Sequence, residues 1–136
     1  MATEAQASRR RRTIGWVLSG LVIAFLMMDA TMKLLALSVV LETGGPLGFP
    51  GAPMARGLGV LLLACTLLYA APQTAVLGAI LLTGYLGGAI ASHVRIADPL
   101  FTHVLFGFYL GLMVWGGLWL RDPRLRQLLP FKTSPK

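Results

Sequence analysis

At 136 residues the chain has the length of one domain, and its 56% hydrophobic and 12% charged content departs from the roughly 25% charged share of a soluble globular domain. With a mean hydropathy of +0.73, an ordinary soluble fold is excluded. The net charge of +7 would suggest nucleic acid in a polar chain, but so few charges cannot build a surface that tracks phosphates, and no nucleic-acid partner is expected.

Residues 1–13 read as a basic tail, expected to be disordered, that ends in the run Arg9, Arg10, Arg11 and Arg12. Four apolar stretches follow, Ile14–Val40, Gly57–Ala71, Thr74–Val94 and Leu100–Leu120, with the second beginning near Met54. A bilayer crossing takes about 20 helical residues, and lipid leaves no partner for unpaired backbone groups, so each stretch is predicted to be a helix. The fold class is therefore all-α, an integral membrane four-helix bundle over residues 14–120, followed by a second basic tail at 121–136. Arginines before an apolar stretch also resemble an export signal. This stretch is too long for one, contains Asp29 and Lys33, and lacks a small-residue cleavage site, so a retained first helix is expected.

The positive-inside rule gives the direction. Arg9 to Arg12, Arg121, Arg124, Arg126, Lys132 and Lys136, against Glu4 and Asp122, account for the whole net charge of +7, and all fall at the two ends of the chain. The prediction is N-in/C-in, with the lipid bilayer as the first partner. Trp16, Trp115 and Trp119 then share the inner interface as an aromatic belt. Pro72 ends one helix in the inner turn, and Asp98–Pro99 reads as the N-cap and first residue of the fourth helix. Small residues at four-residue spacing, Gly84, Gly88 and Ser92 in one helix and Gly107 and Gly111 in another, predict close helix contacts and leave room for self-association.

With this topology the remaining ionisable residues collect on the outer side: Asp29 and Lys33 in the first span, Arg56 at the start of the second, His93 and Arg95 ending the third, and Asp98 and His103 opening the fourth. Ionisable groups inside a membrane are costly unless paired or wet, which makes them candidates for a functional site. Asp29 and Lys33 stand four residues apart on one helical face. One reading is a self-neutralising pair with Lys33 snorkelling outward; the other is part of a site. His93, Arg95 and His103 are candidates for ligand contact or proton handling, and Tyr85 and Tyr109 are phenols at mid-depth that can line a cavity. The spacing of His93, His103, Asp98, Asp29 and Glu42 matches no ligand pattern, so no metal site is expected. Cys65 is the only cysteine, which excludes intrachain dithiol chemistry. No hydrolase, nucleotide-binding or zinc-protease motif is present, and no motif assigns a reaction.

The segment from Thr83 through Arg95, then Asp98–Pro99–Leu100–Phe101 and His103, then Trp115 through Asp122 with Leu125–Arg126, resembles DoxX-like bacterial membrane proteins. Asp29–Ala30–Thr31–Met32–Lys33–Leu34 is similar to the family's first-helix signature, a polar or small residue before a Lys-Leu pair, and the likeness runs from Ile14 to Pro130. The resemblance implies a four-helix bundle in the bacterial inner membrane and an association with quinones, redox stress and membrane oxidoreductase complexes. Without paired cysteines or a flavin or haem pattern, a redox role would depend on a bound quinone or a membrane redox partner subunit. Wider relatives acting as membrane chaperones or cargo receptors imply the alternative, a non-catalytic scaffold or assembly factor. One departure from the family pattern is Phe106–Gly107–Phe108, where a proline is common.

Overall fold

A chain segment in lipid has only its own backbone to satisfy its N–H and C=O groups, and the computed structural model, which describes residues 2–129, meets that demand with helices throughout. The elements are α1 (Ala2–Leu34), α2 (Ser38–Gly44), α3 (Ala52–Ala70), α4 (Ala75–Arg95), a π-helical turn (Leu100–Val104) that leads into α5 (Leu105–Arg121), and α6 (Pro123–Leu128). Four of these segments are long and apolar enough to cross a membrane: α1, α3, α4 and Leu100–Arg121. No strand occurs among the described residues.

Helix α1 packs against α3 and α5, and α4 packs against the same two, so α1 and α4 lie across a diagonal. One end of the bundle carries both ends of the described chain and the turn at Pro72; it is termed the terminal end. The opposite, loop end carries α2 and the connection from α4 to the π-helical turn. The core is built from Val22, Leu26 and Ala30 of α1, Leu62, Cys65 and Tyr69 of α3, Ala79, Leu82 and Leu86 of α4, and Leu110, Val114 and Leu118 of α5. Much apolar bulk faces outward, including Leu21, Val60, Ile80 and Leu112, as expected where lipid rather than water surrounds the helices.

Three local readings of the sequence are corrected here. The basic tail is not disordered in its described part: α1 starts at Ala2, because Ala, Glu, Gln and Arg are good helix formers attached to an already formed span, and Glu4 suits the first turn. The first span stops at Leu34 rather than Val40. From Ile14 to Leu34 the helix already covers about 31 Å, the ~30 Å of hydrocarbon, and the chain turns at Ala36 (φ 49°) into the separate short α2. Arg56 Nε closes that helix end by donating to Leu34 O at 3.3 Å. Asp98 does not cap the fourth helix; its side chain is turned back to His93 instead.

The predicted glycine faces are corrected as well. Only Gly107 of that set makes a close approach, where an added Cβ would lie 2.9 Å from Ile90 Cγ1 and 3.3 Å from Leu86 O. At Gly84, Gly88 and Gly111 a Cβ would meet nothing within 4 Å. The tight contacts belong to other glycines. Gly15 lies against Arg121 N (2.7 Å from the Cβ position), Gly59 against Ala30 O (3.1 Å), Gly117 against Ser19 Oγ (2.6 Å), and Gly78 against the backbone of Tyr69. The α3–α4 hairpin is therefore closed at its turn, and the α4 face carrying Gly84 and Gly88 stands open nearer the loop end.

A buried polar node ties the terminal end. Ser19 Oγ donates to Tyr69 OH at 3.0 Å, and Tyr69 OH donates to Val114 O at 2.7 Å, joining α1, α3 and α5. Arg121, read from the sequence as part of the tail, is only 8% exposed; it donates to Tyr69 O at 3.2 Å and lies over the Trp16 ring at 4.3 Å. Beyond it Asp122 caps α6 by accepting from Arg124 N at 2.9 Å, and Trp119 Nε1 donates to Leu129 O at 3.0 Å. Lys132 and Lys136 lie outside the described residues. Helix α5 runs unbroken through Phe106–Gly107–Phe108, and the irregularity of the fourth span sits one turn earlier, in the π-helical turn.

Candidate functional site

The last two turns of α1 bring Asp29 and Lys33 to the loop end, one above the other, and Lys33 Nζ donates to Asp29 Oδ1. On the diagonal partner, α4 carries Tyr85 and, two turns later, His93. The chain leaves α4 through Ala97, at φ 56°, which swings Asp98 back so that His93 Nδ1 donates to Asp98 Oδ2 at 2.6 Å. The π-helical turn then presents His103, whose ring centroid lies 5.9 Å from that of His93 at an interplanar angle of 56°. Its Nδ1 is engaged with Thr102 Oγ1 at 2.8 Å.

Asp29, Lys33, Tyr85, His93 and His103 all line one cavity of about 550 Å³, within the size range of small-molecule sites. Apart from Ser92, whose hydroxyl donates to Gly88 O at 2.9 Å, its remaining walls are apolar: Phe25 and Leu26 from α1, Leu58 and Leu61 from α3, Leu86 from α4, and Phe106 and Leu110 from the fourth span. On the side between α1 and α5, Phe25 and Phe106 meet edge to face with centroids 5.3 Å apart. Leu47 and Phe49, from the loop between α2 and α3, complete the lining.

Two of the candidates stand elsewhere. Arg95 is exposed and does not line the cavity; its Nη2 donates to Leu47 O at 2.6 Å and so pins the loop that does. Gly48, between the two loop residues, has φ +92°, and a Cβ there would collide with the Arg95 guanidinium. Tyr109 is 43% exposed, with its ring 6.4 Å from that of Phe108, and points away from the site. Asp98 pairs with His93 five residues away across a turn, a spacing that carries little signal in the sequence because Asp98–Pro99 equally suits a helix start. Leu47 and Phe49 had a clearer signal, being bulky apolar residues inside a Gly- and Pro-rich loop.

The electrostatics follow from the pairing. Each acid at the site already has a basic partner, Asp29 with Lys33 and Asp98 with His93, so neither carboxylate is left bare to attract a cation. Among the described residues no group of three or more His, Cys, Asp or Glu converges as metal ligands. What remains for a ligand is the second nitrogen of each imidazole, the further N–H donors of Lys33 and the Tyr85 hydroxyl. Such groups can hydrogen-bond to a small polar group, with apolar surface around it.

The profile of the DoxX-like family matches residues 17–117. The chain belongs to the DoxX-like family. The matched stretch holds every candidate above, from Asp29 to Tyr109, and leaves the basic N-terminal turns, Arg121 and α6 of this DoxX-like protein outside it. No curated protein and no solved structure matches the chain. With four apolar helices of spanning length, it is a multi-pass membrane protein.

Proposed function

We propose that this DoxX-like protein holds a quinone head group in the loop-end cavity, as a quinone-associated subunit of a membrane oxidoreductase system in the bacterial inner membrane. The observation that carries the reading is the convergence of Asp29, Lys33, Tyr85, His93 and His103, from three of the four spans, on one cavity whose other walls are apolar apart from Ser92. These residues fit such a group: hydrogen-bond donors gather for ring oxygens, no bare carboxylate opposes them, and Phe25, Phe106 and the leucines offer surface to a ring. Lys33, Tyr85 and His103 would hold the oxygens. Asp29 keeps the Lys33 ammonium in place, and Asp98 fixes one nitrogen of His93 so that the other can give or take a proton. When bound, a quinone supplies two-electron, two-proton redox chemistry, and electrons would pass to or from a partner subunit.

The orientation that goes with this reading puts both termini in the cytoplasm. It is supported by the exposed Arg9 to Arg12 at the terminal end and by the balanced charges at the loop end. The test is to purify the protein from native membranes and extract its lipids. Co-purifying quinone that is lost in Lys33→Met and His93→Ala at unchanged membrane abundance is the expected result. No quinone, together with unchanged quinol-linked redox rates in a deletion strain, refutes it and favours the non-catalytic scaffold.

A further inference from the structure

The cavity's surroundings are not equally closed. At the loop end Leu47 and Phe49 lie over it, with Leu47 held through its carbonyl by Arg95. Between α1 and α5 the Phe25–Phe106 contact stands in the way. Between α1 and α3 the helices are in close contact, since a Cβ on Gly59 would lie 3.0 Å from Leu34 N. The seam between α3 and α4 is different. Leu61 stands two residues after Gly59, about 200° round the helix and so on the side of α3 away from α1. It lines the cavity while remaining 51% exposed. Opposite, Gly88 of α4 also lines the cavity, is itself exposed, and has nothing within 4 Å of its Cβ position. Phe106, 43% exposed, and His103 are also both cavity wall and outer surface, but the first closes ring to ring on Phe25 and the second lies at the loop end beside His93; at the α3–α4 seam an exposed wall residue stands on each side, and the glycine has no side chain to bridge the gap. The seam lies within the span, where the surroundings are lipid chains rather than water.

We propose that the cavity opens sideways to the bilayer between Leu61 of α3 and Gly88 of α4, and that its ligand is an amphiphile whose long apolar chain leaves through this opening while the uncharged, oxygen-bearing head stays among Lys33, Tyr85, His93 and His103. The proposal rests on the head-group reading above and adds the ligand's class and its route. Gly88 serves as the gap because glycine removes the side chain that would fill it; any larger residue there projects into the path of the chain.

The experiment compares two probes on the full-length protein in nanodiscs: decylubiquinone, and the same dimethoxy-methyl-benzoquinone ring without the chain. Gly88→Leu is the test variant. Gly84→Leu, on the same helix and equally open but not lining the cavity, is the control. Gly88→Leu is expected to weaken decylubiquinone binding by about tenfold or more while binding of the chainless ring stays within about twofold, with Gly84→Leu like the wild type for both. Wild-type binding of both probes with no selective loss in Gly88→Leu overturns the side opening and leaves the head-group site standing. Wild-type binding of neither probe overturns the head-group site, and the opening with it.

Discussion

Two glycines six residues apart on α4 should respond oppositely to the same added methyl group. In Gly78→Ala the new Cβ would lie 2.5 Å from Tyr69 Cα and 2.7 Å from Leu68 C, where ordinary contact begins at 3.4 Å. The atoms in the way are backbone, so α3 and α4 must part by roughly 1 Å at the point where they pack most tightly, as expected of overpacked interiors. Overpacking of this kind costs about 1–3 kcal/mol. Tyr69 also holds Ser19, Val114 O and Arg121, and loosening one of those bonds adds about 1 kcal/mol. Gly84→Ala meets nothing within 4 Å and exchanges a poor helix former for the best one, worth up to about 1 kcal/mol in the other direction. The two variants should therefore differ by about 3 kcal/mol, a factor of more than about a hundred in the folding equilibrium. Steric trapping in bicelles measures that equilibrium directly, and thermal melts in mild detergent give the ranking. Equal shifts in both variants, or a loss in Gly84→Ala as large as in Gly78→Ala, would refute the assignment of helix contacts.

Removing one partner of the Asp29–Lys33 pair should cost about 2 kcal/mol, between the values for exposed and buried pairs, because the side chains are 30% and 18% exposed. Asp29→Asn with Lys33→Met should recover most of that stability in the same trapping assay without recovering quinone, which separates a pairing role from a ligand role. Tyr69→Phe deletes a hydroxyl with two buried partners and should lower stability by about 1–2 kcal/mol while leaving ligand binding at the distant loop end unchanged. In Gly48→Val, the positive φ and the Arg95 contact both oppose the side chain; residues 45–51 should show faster hydrogen exchange by mass spectrometry, with the four spans unaffected.

The spans were legible because hydropathy and length act over about twenty residues at once, and a single misplaced residue cannot hide them. Their ends were less legible: Leu35 to Leu37 carry no breaker, and the turn there comes where the span from Ile14 has just covered the hydrocarbon thickness. Depth along each span placed Asp29, Lys33, His93 and His103 at one end, and the folded chain adds that they face a shared cavity. Facing is set by which helices are neighbours, and that depends on contacts such as Gly78 on Tyr69 that no single segment encodes. Spacing alone made Gly84 and Gly88 look like Gly107. Arg95 and Tyr109 stand outside the cavity for a related reason: position along a span says nothing of the direction in which a side chain leaves its helix.

The node of Ser19, Tyr69 and Arg121 gives the bundle a mechanical polarity. At the terminal end a buried hydrogen-bonded node joins three helices, whereas at the loop end the helices meet in pairs, at Gly59 on α1 and at Gly107 on α4, and the loop between α2 and α3 is fastened through Arg95. Local opening draws on the segments with the fewest buried polar ties, so hydrogen exchange should be faster in residues 45–51 than around Tyr69.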